Sequence, residues 1–226
     1  MSLYLWVNIL SILGPFVLSF DRKVHFYTHW KTLMPSIFIV GTIFIAWDVY
    51  FTANGIWGFN LDYLSGINVF NLPLEECLFF FTVPYACVFI YEVVIAYFPK
   101  LKPEKLAYVF SVLFTISGTV LAFLHFSNWY TFTALFGAAL LNAVVYFAYS
   151  PKWYSTFVVS FLITTIPFLL VNGILTGFFT EEPIVWYSEK HIIGWRIGTI
   201  PFEDVYYNFF MLFPIVGIHE FLKRKL

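Results

Sequence analysis

The sequence predicts an all-α integral membrane protein with seven transmembrane helices, and three observations support this prediction. Hydrophobic residues make up 61% of the 226 residues and charged residues 11%, whereas soluble domains contain about 45–50% and about 25%. The mean hydropathy is +0.82. Apolar stretches long enough to cross about 30 Å of hydrocarbon recur along the chain. The net charge of −1 excludes a basic surface for nucleic acid.

Each predicted span is a long apolar stretch. The seven stretches cover residues 3–20, 32–51, 74–98, 105–124, 129–149, 154–178 and 201–222. The first stretch lacks the basic start and small-residue cleavage site of a signal peptide, so we interpret it as a span. We therefore expect a multi-pass protein of the cell membrane that is surrounded by lipid.

Lysine and arginine residues lie mainly on one side of the predicted spans. Ten of the twelve fall in the links after spans 1, 3 and 5 and in the C-terminal tail, whereas Lys190 and Arg196 fall on the other side. Basic residues are enriched in cytoplasmic loops. This asymmetry predicts an N-terminus outside the cytoplasm and a C-terminus inside, which requires an odd number of spans.

Two links on the predicted outer side are long, and they cover residues 52–73 and 179–200. The segment Gly55–Asn60 is too apolar for an ordinary solvated loop. We expect both links to fold back against the helices as a cap, because irregular backbone at membrane depth must be covered by protein.

An internal repeat emerges when the chain is shifted by 128 residues. Pro73–Glu76, which reads Pro-Leu-Glu-Glu, then falls on Pro201–Asp204, which reads Pro-Phe-Glu-Asp. The same shift places Glu92 on Glu220. Repeated hydrophobic helices always look somewhat alike, but a four-residue motif in register with a second acid favours a true repeat.

The repeat predicts a 3+1+3 arrangement of the helices. Residues 1–104 form the first three-helix unit, residues 105–128 hold a linking helix, and residues 129–226 form the second unit. The additional crossing gives the two units the same orientation, which makes the repeat parallel. Equivalent residues of the two units are then expected on either side of a central cleft.

The two Pro-x-acid-acid motifs are the main candidates for chemistry. Proline and acids are also ordinary helix-start residues, so either motif alone would be ambiguous. Their recurrence in register, the aromatic residues that follow, and the cost of placing acids in a membrane favour a functional role. The candidate catalytic residues are Glu75, Glu76, Glu203, Asp204 and Asp48.

Asp48 and Asn172 lie near the outer ends of spans 2 and 6. They are repeat mates if a four-residue difference in length is allowed. A hydrogen-bonding role at a helix end is the alternative interpretation. We expect these two residues and the four motif acids to form one polar cluster among aromatic side chains.

Carboxylic acids in an aromatic cleft with little water suit one kind of reaction. A neutral acid can protonate a carbon–carbon double bond, and aromatic faces can stabilise the resulting carbocation. A second carboxylate or a water molecule can remove a proton afterwards. Burial and neighbouring acids favour the neutral form that this chemistry needs, whereas a helix N-terminus opposes it.

The remaining polar residues predict neither a metal nor a cofactor. His25 and His29 lie in a basic link without an evident third ligand, and the other histidines are scattered. Cys77 and Cys87 are too few for a Cys-rich metal site or a disulfide framework. The chain also lacks the Gly-rich fingerprint of a flavin or nicotinamide site.

Glu92 and Glu220 are expected near the opposite face of the membrane, about 28 Å of helix from their prolines. We expect ion pairs there, with Arg224 or Lys225 near Glu220.

The motifs together resemble the small integral-membrane lycopene cyclases, which occur as two bacterial subunits or as a fused fungal version. The resemblance covers about residues 2–222. It is carried by Asp48 with Gly55–Asn60, and by Leu72–Phe80, Leu170–Gly177 and Ile200–Asp204. The chain looks like the two subunits joined.

This resemblance implies a cyclase that converts the linear ψ ends of lycopene into β-ionone rings, without net redox change and without a cofactor. It implies that the four motif acids act as acid and base, supported by Asp48 and Asn172. The implied substrate-binding residues are Asn172, Trp57, Asn60, Phe79, Phe80 and Tyr207. Asn172 stands where the first half has an acid, so the two halves are not strictly equivalent.

Other functions stay open at this point. A non-catalytic protein that binds carotenoid or lipid would need the aromatic cleft but not the paired acids. A transporter would need charges along a path through the bilayer, whereas here the acids gather at one level. A cyclase could also act on C45 or C50 carotenoids. Contact with other enzymes of the carotenoid pathway is left open too.

The charge asymmetry yields a topology prediction. A reporter that is active only in the cytoplasm should be active when it is fused after Leu226, because basic links retain the C-terminus there. The same reporter fused before Met1 should be inactive. Activity only outside the cytoplasm for the C-terminal fusion would contradict the assignment.

Overall fold

The computed structural model describes residues 2–225 and contains seven helices. Short strands lie in the two long links, after the second and the sixth helix. The helices are α1 (Leu3–Leu18), α2 (Trp30–Ala53), α3 (Leu74–Tyr97), α4 (Glu104–Leu124), α5 (Trp129–Tyr149), α6 (Tyr154–Leu175) and α7 (Glu203–Lys223). A 3₁₀ turn, Phe26–His29, leads into α2. Two stretches of α5 are π-helical, namely Phe132–Phe136 near its start and Val144–Tyr149 at its end. The predicted all-α architecture is confirmed.

Six of these helices, α2 to α7, are long and apolar enough to cross a membrane by length and composition. Helix α1 has 16 residues, which is about 24 Å at about 1.5 Å per residue. This is shorter than the ~30 Å hydrocarbon core. The chain therefore has the character of a multi-pass membrane protein, and a seventh span remains a prediction.

Helices from the two halves of the chain pack against each other. Helix α2 packs along α7, and α3 packs along α6, while α1 lies against α3. Helix α4 approaches α5 closely because Gly118 presents no side chain to Ala139 and to the backbone of Leu135. One end of the bundle is consequently built from helices of both halves.

The two long links form a cap over that end, as their apolar composition predicts. Strand β1 (Trp57–Phe59) from the first link pairs antiparallel with β4 (Val185–Tyr187) from the second. Gly58 lies opposite Trp186, whose indole ring covers the space that a side chain at Gly58 would need. Backbone hydrogen bonds therefore join the two halves directly over the bundle.

Each link also contains a short hairpin just before a Pro-x-acid-acid helix. In the first link β2 (Asn68–Val69) pairs with β3 (Leu72–Pro73), and in the second β5 (Arg196–Ile197) pairs with β6 (Ile200–Pro201). The paired positions of the two hairpins are 128 residues apart, the offset of the proposed repeat.

The contact over Gly58 yields a stability prediction. Gly58→Ala should push Trp186 away and strain the β1–β4 pairing, which lowers stability by about 1–3 kcal/mol. Thermal unfolding in detergent measures the effect. The double variant Gly58→Ala/Trp186→Ala should be no less stable than Trp186→Ala alone, since the obstructing ring is gone. An unchanged melting temperature for Gly58→Ala would contradict the prediction.

Candidate functional site

A cavity of about 40 Å³ lies between the helix ends and the cap. Three carboxyl groups, one amide and four tyrosines form its polar lining, and aromatic rings form much of the rest. The polar lining consists of Asp48, Glu76, Asp204, Asn172, Tyr4, Tyr130, Tyr187 and Tyr207. These residues come from both halves, so neither half could form the cavity alone.

Asp204 accepts hydrogen bonds from three side chains. The hydroxyl of Tyr130 donates to Oδ1 at 2.5 Å, while Nδ2 of Asn172 and the hydroxyl of Tyr187 donate to Oδ2 at 2.6 Å and 3.1 Å. Burial, with Asp204 nearby, raises the pKa of the Tyr187 hydroxyl, which therefore stays protonated and able to donate. Three donors on one carboxyl group suit an ionised carboxylate, because that form only accepts.

Glu76 has a different environment. The hydroxyl of Tyr4 donates to its Oε2 at 2.6 Å. Its Oε1 has no hydrogen-bond partner within residues 2–225, and the side chain lines the cavity. A neutral Glu76 could accept from Tyr4 through its carbonyl oxygen and still direct an O–H group into the cavity.

Asp48 lies on the same cavity and is 1% exposed. Trp57, on cap strand β1, donates its indole N–H to Oδ1 of Asp48. Thr52 contributes a longer contact of 3.5 Å to the same oxygen. Oδ2 is buried and has no partner in the described chain. Asp48 thus connects the cap to the end of α2.

Glu75 is buried outside the cavity lining. Its Oε1 accepts from the Ser2 hydroxyl and from the backbone N–H of Ser65, both at 2.6 Å. It therefore anchors the first link and the start of α1 to the start of α3.

Glu203 has the same arrangement in the second half. Its Oε1 accepts from the Thr131 hydroxyl and from the backbone N–H of Ile193, both at 2.6 Å. In each half the backbone donor lies ten residues before the acid. Adjacent helical residues point about 100° apart, so the first acid of each motif meets the link while the second reaches the cavity.

Aromatic rings enclose the cavity at van der Waals distance from one another. The ring centroid of Trp57 lies 5.1 Å from that of Tyr130 and 6.2 Å from that of Tyr207. Tyr130 stacks on Tyr187 at 5.7 Å. Electron-rich faces this close together can stabilise a positive charge between them.

The structure brings together most of the residues that the sequence predicts for binding, but not all of them. Asn172, Trp57, Phe79 and Tyr207 line the cavity. Phe80 lies outside this lining, and its ring centroid is 6.4 Å from that of Phe44. Asn60 lies outside it too, since it donates to Glu182 at 3.1 Å on the outside of the cap.

Seven lining residues are absent from the predicted site residues, namely Tyr4, Phe59, Tyr130, Phe168, Leu175, Val185 and Tyr187. Tyr4 and Tyr130 both lie at the start of the first helix of a half, and each donates to the second acid of its motif. Comparison of the helix starts of α1 and α5 could have found this pair. Tyr187 and Phe168 carry no comparable signal.

A second polar cluster lies at the end of the bundle opposite the cap. Glu92 accepts from Nζ of Lys223 at 2.7 Å, lies 2.9 Å from Nε2 of His219 and is 3.6 Å from Nε2 of His29. The expectations that His219 is isolated and that His29 has no further ligand nearby are thus wrong, because packing of α2 against α7 joins distant residues. The side chain that pairs with Glu220 is Lys223, at 3.1 Å, and not Arg224 or Lys225.

The same cluster is the place where the described chain could hold a metal ion. One ligand atom from each of His29, Glu92 and His219 lies within 4.8 Å of the others. The ammonium group of Lys223 already contacts the Glu92 carboxylate and supplies the positive charge there. The cluster is therefore a complete ion-paired network at the far end of the bundle from the cavity.

Comparison with known proteins gives one match. A protein-family model described as "Lycopene cyclase" matches residues 1–94 and 127–222. The two matched segments contain both Pro-x-acid-acid motifs and leave out helix α4. No match was found among curated proteins or among solved structures.

The different surroundings of the paired acids yield a folding prediction. Glu75→Ala and Glu203→Ala should each lower stability by about 1–3 kcal/mol, because two buried donors lose their acceptor. Thermal unfolding and the yield of membrane-inserted protein measure this loss. Glu76→Gln is the matched control, since it keeps an acceptor for Tyr4. Wild-type stability of both alanine variants would refute the anchoring role.

Proposed function

Because this chain belongs to the lycopene cyclase family, we propose that it converts the linear ψ end groups of lycopene into β-ionone rings. The family supports a carotenoid cyclase function in general. We propose the cell membrane as its location, and residues 1–104 and 129–226 as its two cyclase units. The observation that carries the proposal is the capped cavity, in which one acid from each motif faces aromatic rings.

The proposed reaction is an isomerisation that needs no cofactor. A proton adds to the terminal double bond of the ψ end group and leaves a tertiary carbocation. An inner double bond attacks this cation, which closes the six-membered ring and moves the charge onto a ring carbon. Loss of one ring proton then forms the β-ionone double bond. One proton is gained and one is lost, so the redox state is unchanged.

We assign proton delivery to Glu76. Its Oε1 has no protein donor in the described chain, and Tyr4 holds the other oxygen at 2.6 Å. Carboxylates that share a cavity with little water repel each other, which favours a proton held among Asp48, Glu76 and Asp204. The three donors on Asp204 favour its charged form, so the proton is best placed on Glu76.

We assign the negative partner to Asp204. Its carboxylate offsets the positive charge of the cyclising end group and receives the released proton, directly or through water. Asn172 and Tyr130 fix its orientation. Asp48 positions Trp57, whose ring forms part of the aromatic wall.

Product analysis in cells that accumulate lycopene tests the proposal. Wild-type protein should form rings, and purified protein should do so without added flavin or nicotinamide. Glu76→Gln and Asp204→Asn should lower ring formation at least a hundredfold, because general acid–base catalysis contributes about 10²–10⁴-fold. Glu182→Gln is the matched control, since this exposed acid lies on the outside of the cap.

One result would contradict the assignment of the acids, and another would contradict the cyclase function. If Glu76→Gln and Asp204→Asn insert normally and keep wild-type activity, the proton donor lies elsewhere and Asp48 becomes the next candidate. If the wild-type protein retains lycopene but returns it unchanged, the chain is a carotenoid-binding protein without cyclase activity.

A further inference from the structure

A second and larger cavity, of about 360 Å³, opens between α1, α3 and α6. We call it the α1–α3–α6 groove. Val7, Val83 and Val171 form part of its floor. At its rim, Leu10 is 64% exposed and Leu170 is 63% exposed. Leucines on the outer surface of a membrane helix contact lipid tails, so the groove opens sideways to the membrane.

The groove offers a ligand almost nothing polar. Ser11 contributes the one hydroxyl among its lining residues, and this hydroxyl already donates to the carbonyl of Val7 at 2.7 Å. No charged side chain lines it. A molecule that fills this space must therefore be hydrocarbon over the buried part of its length.

The groove and the acid cavity are neighbours that share one lining side chain. Phe168 lines both spaces, one helical turn before Asn172 on α6. The acid cavity, at about 40 Å³, has room for only a few water molecules. A ring-forming end group fits there only if a wall moves, and the Phe168 ring is the wall that faces the larger space.

We propose, relying on the proposed function, that the α1–α3–α6 groove binds the polyene chain of a linear carotenoid that comes from the bilayer. The chain lies along the helices, and Phe168 swings aside to admit its end group to Glu76 and Asp204. The groove extends about 10–12 Å along the helix axes at about 1.5 Å per residue, so it holds the part of the polyene next to the reacting end.

The groove residues on α6 differ in part from the residues at the equivalent positions of α2 in the other half. The four-residue adjustment that aligns Asp48 with Asn172 also aligns Phe44 with Phe168 and Trp47 with Val171. The small side chain in the groove thus corresponds to an indole ring in the other half.

The corresponding space between α5, α7 and α2 is filled by aromatic rings. The centroids of Trp47 and Phe210 are 5.8 Å apart. Phe210 also covers Gly137 on α5 so closely that a side chain there would clash with its ring. Within residues 2–225 the equivalent space in the other half is thus occupied by these rings, and in this proposal each end group reaches the acids through the α1–α3–α6 groove in turn.

Filling the groove tests the proposal. Val171→Trp copies the residue found in the other half, and Ala86→Phe fills the groove from α3, far from the acids. Ile166→Trp is the matched control, because Ile166 is 66% exposed on α6 and lies outside the groove lining. Each variant is reconstituted in phosphatidylcholine vesicles with lycopene, and retained lycopene and rings formed are measured.

Both filling variants should retain at least tenfold less lycopene per protein and form rings at least tenfold more slowly, while Ile166→Trp stays within twofold of wild type. Melting temperatures show which variants are folded, and the smaller Val171→Phe replaces Val171→Trp if the latter does not fold. Normal retention of lycopene and normal ring formation in folded filling variants would overturn the proposal. The groove would then be a site for lipid chains only.

The outcomes separate this proposal from the proposed function. If wild-type protein forms no rings but retains lycopene, and the filling variants release it, the cyclase function fails and the groove assignment stands. If wild-type protein forms rings and the folded filling variants do too, the cyclase function stands and the groove assignment fails. Loss of rings with normal retention would also overturn the groove assignment, since the added ring would then act on the acids.

Discussion

Five carboxyl groups at the capped end of the bundle are the constraint on which the rest of the structure depends. Each must find donors where water is scarce, because an unpaired carboxylate is very costly to bury. Each carboxyl group accepts at least one hydrogen bond, and the donors are tyrosine, serine and threonine hydroxyls, one side-chain amide, one indole and two link amides. These bonds fix the starts of α1, α3, α5 and α7 and the path of both links, so the site and the fold share one network.

Within each motif the two adjacent acids have separate tasks. Glu75 and Glu203 secure the links, while Glu76 and Asp204 face the cavity. The division follows from helical geometry alone, since neighbouring positions point in directions about 100° apart. It accounts for the two adjacent acids in each half, of which one bonds to the link and one faces the cavity.

The sequence predicted the helices and the motif acids, which depend on local pattern. It missed contacts between residues that are far apart in the chain. Apolar stretches predicted the helices to within a few residues, and the repeat led directly to the acids. Tyr187 was missed because only the β1–β4 pairing brings it to Asp204. His219 and Lys223, two of the partners of Glu92, were missed because they lie 127 and 131 residues away along the chain. Asn60 lies outside the cavity lining, where its side chain donates to Glu182, and its predicted role in binding stays a prediction.

The β1–β4 pairing has a consequence for chemical fidelity. It joins the two links by backbone hydrogen bonds, with Trp57 and Tyr187 facing the cavity beneath. If the proposed carbocation forms under this cover, the pairing keeps bulk water away from it while the ring closes and a proton is lost. Water that leaked through the cover would add to the cation and release a hydroxylated open chain. Under the proposed function, the cap would therefore influence which product forms, independently of how quickly the proton is delivered.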